Sequence, residues 1–332
     1  MTTHCLTKLA CTLFVASSLS ASSATFAQSS EAQSYPNRPV TVIVPFPPGG
    51  GTDIGGRIVM QKLSVIWGQT VIVENRGGAA GLLGAEAVAK AKPDGYTLLV
   101  GNVGTQSVNP ALYAKMPYNP DTAFQPITMI AELPLVLLVT PSLPYRSVQE
   151  LIAAAKAEPG KLSYASSGAG GAPHLAAEIL KTSAGIEVLH VPYKGGGPAV
   201  ADLMAGHVNM LFATVLEGSG AVRSGKLRGL AVSSAKRSLA LPELPTVAES
   251  GIPDFDTGSW IGMLAPAGTP QAIVQKVATD IRAVLSQEET RDLLIKQGAT
   301  PLLMTTEQFS ERIARDRKRY GDVIRASAIK AD

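Results

Sequence analysis

Two glycine-rich stretches in this sequence stand where a chain can hold an anion without a dedicated cation. The first runs Phe46-Pro47-Pro48-Gly49-Gly50-Gly51 into Thr52-Asp53; the second runs Ser166-Ser167-Gly168-Ala169-Gly170-Gly171 toward His174. Each follows an apolar, strand-like run and precedes a helical one. Glycine lets backbone N–H groups approach a ligand, and the first turn of a helix offers unpaired donors at the positive end of its dipole. Two such seats facing each other would grip one small anion from both sides. Neither is a nucleotide loop. The Walker pattern needs Gly-Lys-Ser/Thr, whereas Lys194 stands ahead of Gly195-Gly196-Gly197, and Pro173 takes the place of the third glycine of a dinucleotide fingerprint.

The polar side chains of these loops suit structural roles as well as ligand contacts. Thr52 and Asp53 stand where helix caps stand. A free Asp53 carboxylate would repel an anion unless it met water or an ammonium group, which leaves an amino-acid ligand open. Ser166 and Ser167 suit caps, ligand hydroxyls or a nucleophile; a hydrolase would use one of them with His174 as base. The flanking Ala165 and Gly168 do not form the Gly-x-Ser-x-Gly elbow. His174, in the first turn of its helix, suits local capping or a ligand contact. Lys194, after Tyr193, suits a carboxylate partner or a solvated turn, and Asn102 carries the same two readings. His190 reads as core and His207 as a helix-end cap. With no His-x-x-x-His or His-x-Glu grouping, the sequence offers no metal site, no catalytic set and no cofactor motif.

Such loops need elements to hold them, and the hydrophobic pattern supplies these. Val40 to Val44 is a continuous β-branched run, which predicts a buried parallel strand. Beyond Pro45, Thr52-Asp53 opens a helix carrying Ile54, Ile58, Val59, Leu63 and Ile66. Val71–Val73 and Tyr96–Val100 predict two more strands, with a helix over 82–90 between them. The alternation then restarts: Ser147 with Glu150 is a capping box for a helix over 148–157, and strands follow at 162–165, 188–191, 208–212 and 227–232. This predicts two doubly wound α/β units, not one long sheet. An amphipathic helix with Ile273, Val277, Ile281 and Leu285, and a last helix opened by Thr305 with Gln308, are expected to return to the first unit. Crossings near residues 128–136 and 250–260 divide the chain into lobe 1, residues 34–131 plus 256–332, and lobe 2, residues 132–255. Trp260, beside the second crossing, is expected in a core or hinge.

The N-terminus predicts export. Lys8 is the one charge in the first thirty residues; it precedes the apolar run Leu9–Val15 and a small-residue tract ending at Ala27. This is a secretory leader over residues 1–27, with the cut expected after Ala27. Cys5 and Cys11 leave with it, so thiol chemistry and disulfides are excluded from the mature chain. Stability must come from a large core, which a 45% apolar content allows. Without Lys8, 28 basic residues face 26 acidic ones, a net of +2 with no basic cluster, which argues against nucleic acid as a partner.

The motifs taken together resemble the Bug (TctC) receptors, the extracytoplasmic solute receptors of tripartite tricarboxylate transport systems. The resemblance starts at Tyr35-Pro36 and Pro45 to Asp53. It continues through Val73-Glu74-Asn75-Arg76, Pro93-Asp94-Gly95-Tyr96, Ser166-Ser167-Gly168 and Val191-Pro192-Tyr193-Lys194-Gly195, and closes with Ala265-Pro266-Ala267-Gly268-Thr269-Pro270. It spans essentially all of the mature chain, in order. The resemblance implies a two-lobed periplasmic-binding-protein fold of the Venus-flytrap, type II-like kind, with crossover hinge strands. It implies a periplasmic, non-enzymatic receptor, expected as a monomer, working with integral-membrane permease subunits. Its ligand would be a small carboxylate (a dicarboxylate, amino acid or aromatic acid) held between Phe46–Asp53 and Ser166–His174. A sensory partner that presents the ligand to a membrane receptor would use the same shape. Asn209 and Ala213 depart from the Asp that many relatives carry.

Overall fold

The computed structural model describes residues 34–326; the leader, its cut at Ala27 and both cysteines lie outside them. Strand β1 (Val40–Val44) is buried almost throughout and pairs in parallel with β2 (Val71–Asn75) and β3 (Thr97–Asn102). Helix α1 (Gly51–Trp67) joins β1 to β2 and ends at Gly68, whose φ of 58° is the left-handed conformation that glycine adopts at little cost. Helix α2 (Leu82–Ala89) joins β2 to β3. After β3 the chain makes a π-helical turn at Gly104–Val108 and the short α3 (Asn109–Leu112).

Strand β4 (Phe124–Val139) then carries the chain from one sheet into another. Its first part pairs antiparallel with β9 (Gly258–Pro266), from Phe124↔Pro266 to Pro134↔Gly258. From Leu135 to Val139 its partners are β7 (Met210–Thr214) and β8 (Arg228–Val232). In the second sheet, β5 (Ser163–Ser166) lies parallel to both β6 (Leu189–Pro192) and β7. Helices α4 (Val148–Ala157), α5 (Ala172–Ala184), α6 (Gly196–Ala205) and α7 (Val215–Arg223) intervene. The chain returns through β9 to α8 (Gln271–Ser286), α9 (Glu288–Gln297), β10 (Thr300–Pro301) and α10 (Thr306–Ala326).

The apolar stripe of α8 explains where the return docks. Ile273, Val274, Val277 and Ile281 pack with Val40, Val42 and Leu98 of the first sheet and Leu63 of α1, so these surfaces lose water together. Helix α10 packs Phe309, Ile313 and Ile324 in a cluster with Met129, Leu99 and Trp260. Its capping box closes both ways: Gln308 N–H donates to Thr305 Oγ1 (3.2 Å) and Thr305 N–H to Gln308 Oε1 (2.9 Å). The Ser147 box closes differently. Glu150 N–H reaches Ser147 Oγ (3.1 Å), but the Glu150 carboxylate turns one residue further back, to the Arg146 N–H (2.7 Å).

The strand expected over 208–212 starts and ends two residues later. Asn209 accepts from the Ser163 N–H and hydroxyl, joining the start of β7 to the start of β5, while Ala213 is buried in β7 opposite Val136. Trp260 is 1% exposed; its indole N–H donates to Asp316 (2.8 Å) and its ring meets Phe309 edge-on at 5.2 Å. Trp260→Ala is expected to lower the unfolding free energy by about 3–5 kcal/mol in urea titrations, since a cavity replaces the largest side chain of this cluster. A loss under about 1 kcal/mol would show that β9 and α10 do not depend on it.

Candidate functional site

The first loop leaves β1 and is closed by its own acid. Gly49 has φ 84°, which suits glycine, and its N–H donates to Asp53 Oδ2 (3.0 Å). Asp53 Oδ1 accepts from Arg57 (2.8 Å) and Asn75 (2.9 Å), and Asn75 also holds the Phe46 carbonyl (2.9 Å). Asp53 is 3% exposed and already bears a cation, so it is not the free carboxylate that would meet a ligand amine. Beside it, Thr52 Oγ1 accepts from Asn102 Nδ2 (3.1 Å), and Asn102 Oδ1 accepts from the Thr105 N–H (3.0 Å). Asn102 therefore positions Thr52, whose hydroxyl proton stays available to another acceptor.

At the first residue of α1, the Gly51 N–H donates across the gap between the sheets to Glu217 Oε1 (2.6 Å). Glu217 belongs to the first turn of α7. Its Oε2 accepts from the Thr214 N–H (3.0 Å), while its own N–H donates to Thr214 Oγ1 (3.2 Å), a closed capping box. Glycines make the approach possible. A Cβ on Gly196, which opens α6, would overlap the Glu217 carboxylate, and one on Gly51 would lie 2.5 Å from Thr214 Oγ1. Pro47 and Pro48 of the first loop abut Gly195 and Gly197. The first loop thus faces Gly195–Gly197 and Glu217.

The second loop contributes Ser167 to the cavity beside the first. Phe46, Gly50, Gly51, Thr52, Asn102, Ser167, Gly196 and Glu217 enclose a cavity of about 30 Å³, room for a water or two. Ser166 is fully buried, and its Oγ meets His190 Nε2 (2.7 Å). His174 Nδ1 accepts from the Gly170 N–H (3.0 Å), and its ring lies parallel to His190 at 4.2 Å, with the Tyr164 ring 4.7 Å from His190 and 6.3 Å from His174. The Ser166–His174 pair that a hydrolase would need is not assembled: each residue is held by another partner. Gly168 (φ 121°) lies beside Ala80, and Gly170 (φ 81°) beside Asn109 and Leu112. Tyr193 donates its hydroxyl to Asp202 (2.6 Å), within its own sheet, and burial and that bond push the phenol up to about 12. Lys194 is exposed and outside the cavity lining. A larger cavity, about 590 Å³, lies away from the glycine loops, and its arginines are engaged: Arg312 by Glu132 and Asp316, Arg237 by Glu249.

The fold that carries these helix N-termini is shared with known proteins. The tripartite tricarboxylate transporter family receptor (TctC) matches residues 56–329. BugT of Bordetella pertussis is 38% identical over 304 residues, 90% of this chain and 92% of that protein. The chain belongs to the TctC family. Among solved structures, an R. palustris protein with adipate superposes with a TM-score of 0.88 at 37% identity, covering 90% of this chain and all of that one. MatC from Rhodopseudomonas palustris, with bound malate, gives 0.82 at 32%, covering 87% of this chain and all of that one. The two-sheet architecture is accordingly the mixed α/β periplasmic-binding-protein fold, and this TctC protein is a solute-binding receptor, not an enzyme.

Six of the eight cavity-lining residues carry a signal in the sequence, because glycine loops and their neighbours announce themselves. Glu217 and Gly196 were missed as site residues. Thr214-Val215-Leu216-Glu217 is itself a Thr-x-x-Glu box, so the local signal existed; its meeting with Gly51, 166 residues away, had none. Among the described residues no group of three His, Cys, Asp or Glu could hold a metal, and no helix is long and apolar enough to cross a membrane.

Two outcomes follow. Gly50→Val is expected to abolish ligand binding with little change in the thermal midpoint, because even its Cβ lies 3.3 Å from Glu217 Oε1 and the methyls beyond it crowd the cavity. Unchanged affinity would remove this loop from the site. Burial pushes the Glu217 carboxyl up, against the pull of the Gly51 and Thr214 hydrogen bonds. The folded protein then binds that proton more tightly than the unfolded chain. The associated stability is present below the ordinary glutamate range and is lost as pH rises through the raised value. Glu217→Gln should therefore gain stability relative to wild type as pH rises above the ordinary glutamate range. A difference flat across paired urea titrations would contradict the upward shift.

Proposed function

We propose that this chain is an exported receptor that captures a small carboxylate between its two lobes and hands it to the integral-membrane permease subunits of a tripartite tricarboxylate transporter. One observation carries the reading: the Gly51 N–H, at the start of a 17-residue helix, points into the gap and already holds a carboxylate oxygen at 2.6 Å. A group built to accept one carboxylate there is built to accept another, since the helix dipole and the donor do not distinguish their source. The relatives with adipate and with malate support the ligand class. In this reading lobe 1 comprises residues 34–131 plus 256–332 and lobe 2 residues 132–255. The loops at 46–53 and 166–174, with Asn102 and the segment 193–196, form the binding surface, and the leader is cut near Ala27 to release a periplasmic monomer.

Native mass spectrometry of the purified protein, followed by calorimetry on a carboxylate panel, tests this. The expected result is one ligand per chain, bound without conversion, with a smaller radius of gyration by solution scattering once bound. Turnover of a bound acid, or no affinity for any carboxylate, would overturn it.

A further inference from the structure

Glu217 carries the sole charge in the cavity lining among the described residues. No cation faces it there: Arg57 is held by Asp53 and Asn75, and Lys194 is exposed outside the lining. The carboxylate is not a passing side-chain conformer. It is pinned by its own capping box, and Gly50, Gly51 and Gly196 leave the space it fills. Both Thr214 contacts lie within the second sheet's own β7–α7 turn. When the sheets part to admit a ligand, Glu217 loses only the Gly51 N–H and travels with β7, still facing the gap.

We propose that Glu217 sets the charge class of the ligand: the protein supplies one carboxylate of the site itself, so the cleft takes a monocarboxylate that turns a hydrogen-bond donor toward Glu217, in preference to a dicarboxylate. This rests on reading the cleft as the carboxylate site. A diacid would bring a second carboxylate beside Glu217 in a poorly solvated space with no cation, where two such groups cannot both stay ionised cheaply. A carboxylate offers about four lone-pair positions, and Gly51 and Thr214 use two of them, so a ligand hydroxyl or ammonium finds an acceptor waiting. The ligand's own carboxylate goes to the Gly51 N–H that Glu217 releases when the sheets part, with the Thr52 and Ser167 hydroxyls in the same lining. Glu217 thereby takes the part that its sequence position offered to Asp53, whose charge is spent inside its own loop.

Matched ligands of equal length test this by calorimetry: each diacid from four to eight carbons, adipate included, against its ω-hydroxy and ω-amino acid. Wild type is expected to bind the best ω-hydroxy or ω-amino acid at least tenfold more tightly than the matching diacid. Glu217→Gln, which keeps an acceptor for the cap while removing the charge, should shift that ratio at least tenfold toward the diacid. Glu217→Ala should shift it the same way and guards against an effect peculiar to the amide; thermal melts check that both fold. A diacid preference in wild type, or a ratio unchanged in both variants, overturns the role of Glu217 while leaving the carboxylate receptor standing. Binding of no panel member by any of the three proteins overturns the receptor reading and this proposal with it.

Discussion

Strand β4 is hydrogen-bonded into two sheets at once, to β9 as far as Pro134 and to β7 and β8 from Leu135 onward. Because β9 runs antiparallel beside it and begins at Gly258, opposite Pro134, two neighbouring segments carry the chain between the sheets at one level. Any relative motion of the sheets must therefore bend these two segments together, which restricts it to opening and closing about a single line. That constraint brings the N-terminus of α1 opposite that of α7. Without it, Gly51 and Glu217 would have no reason to meet.

The cleft is electrostatically economical. Among the described residues its lining presents no cationic side chain, and the donors it offers at helix starts are backbone N–H groups. Two acids near that seat have opposite fates for a stated reason. Asp53 lies on the same loop as Gly49, Arg57 and Asn75, and their donors absorb its charge locally. Glu217 sits on the facing sheet, where burial leaves it only two backbone donors and no ion partner. The same residue chemistry thus closes a loop in one case and faces the ligand gap in the other.

Much of this was legible in the chain itself. The β-branched run at Val40–Val44, the stripe on α8, the Thr305–Gln308 box and the glycine loops are local patterns, and each produced the element or loop it predicts. The placement of Asn102 behind Thr52, the turning of Ser166 to His190 and the closing of Tyr193 on Asp202 were not legible, since each depends on a partner brought by another element. Asn209 and Ala213 drew attention by their identity, yet the structure places one at the start of β7, against β5, and the other buried within β7.

The sequence by itself determined the elements, their alternation, the confinement of both cysteines to the first eleven residues and the two loops able to approach an anion. Those properties reside in short-range pattern: side-chain period, β-branching, caps and the conformational freedom of glycine. Only the tertiary structure decided which donor faces which acceptor. The Gly51–Glu217 contact joins residues 166 positions apart through the register of β4, and no local signal encodes a distance between two sheets. The first glycine loop lines the cavity together with Ser167 of the second, but the charge in that lining comes from a third place in the chain, Glu217.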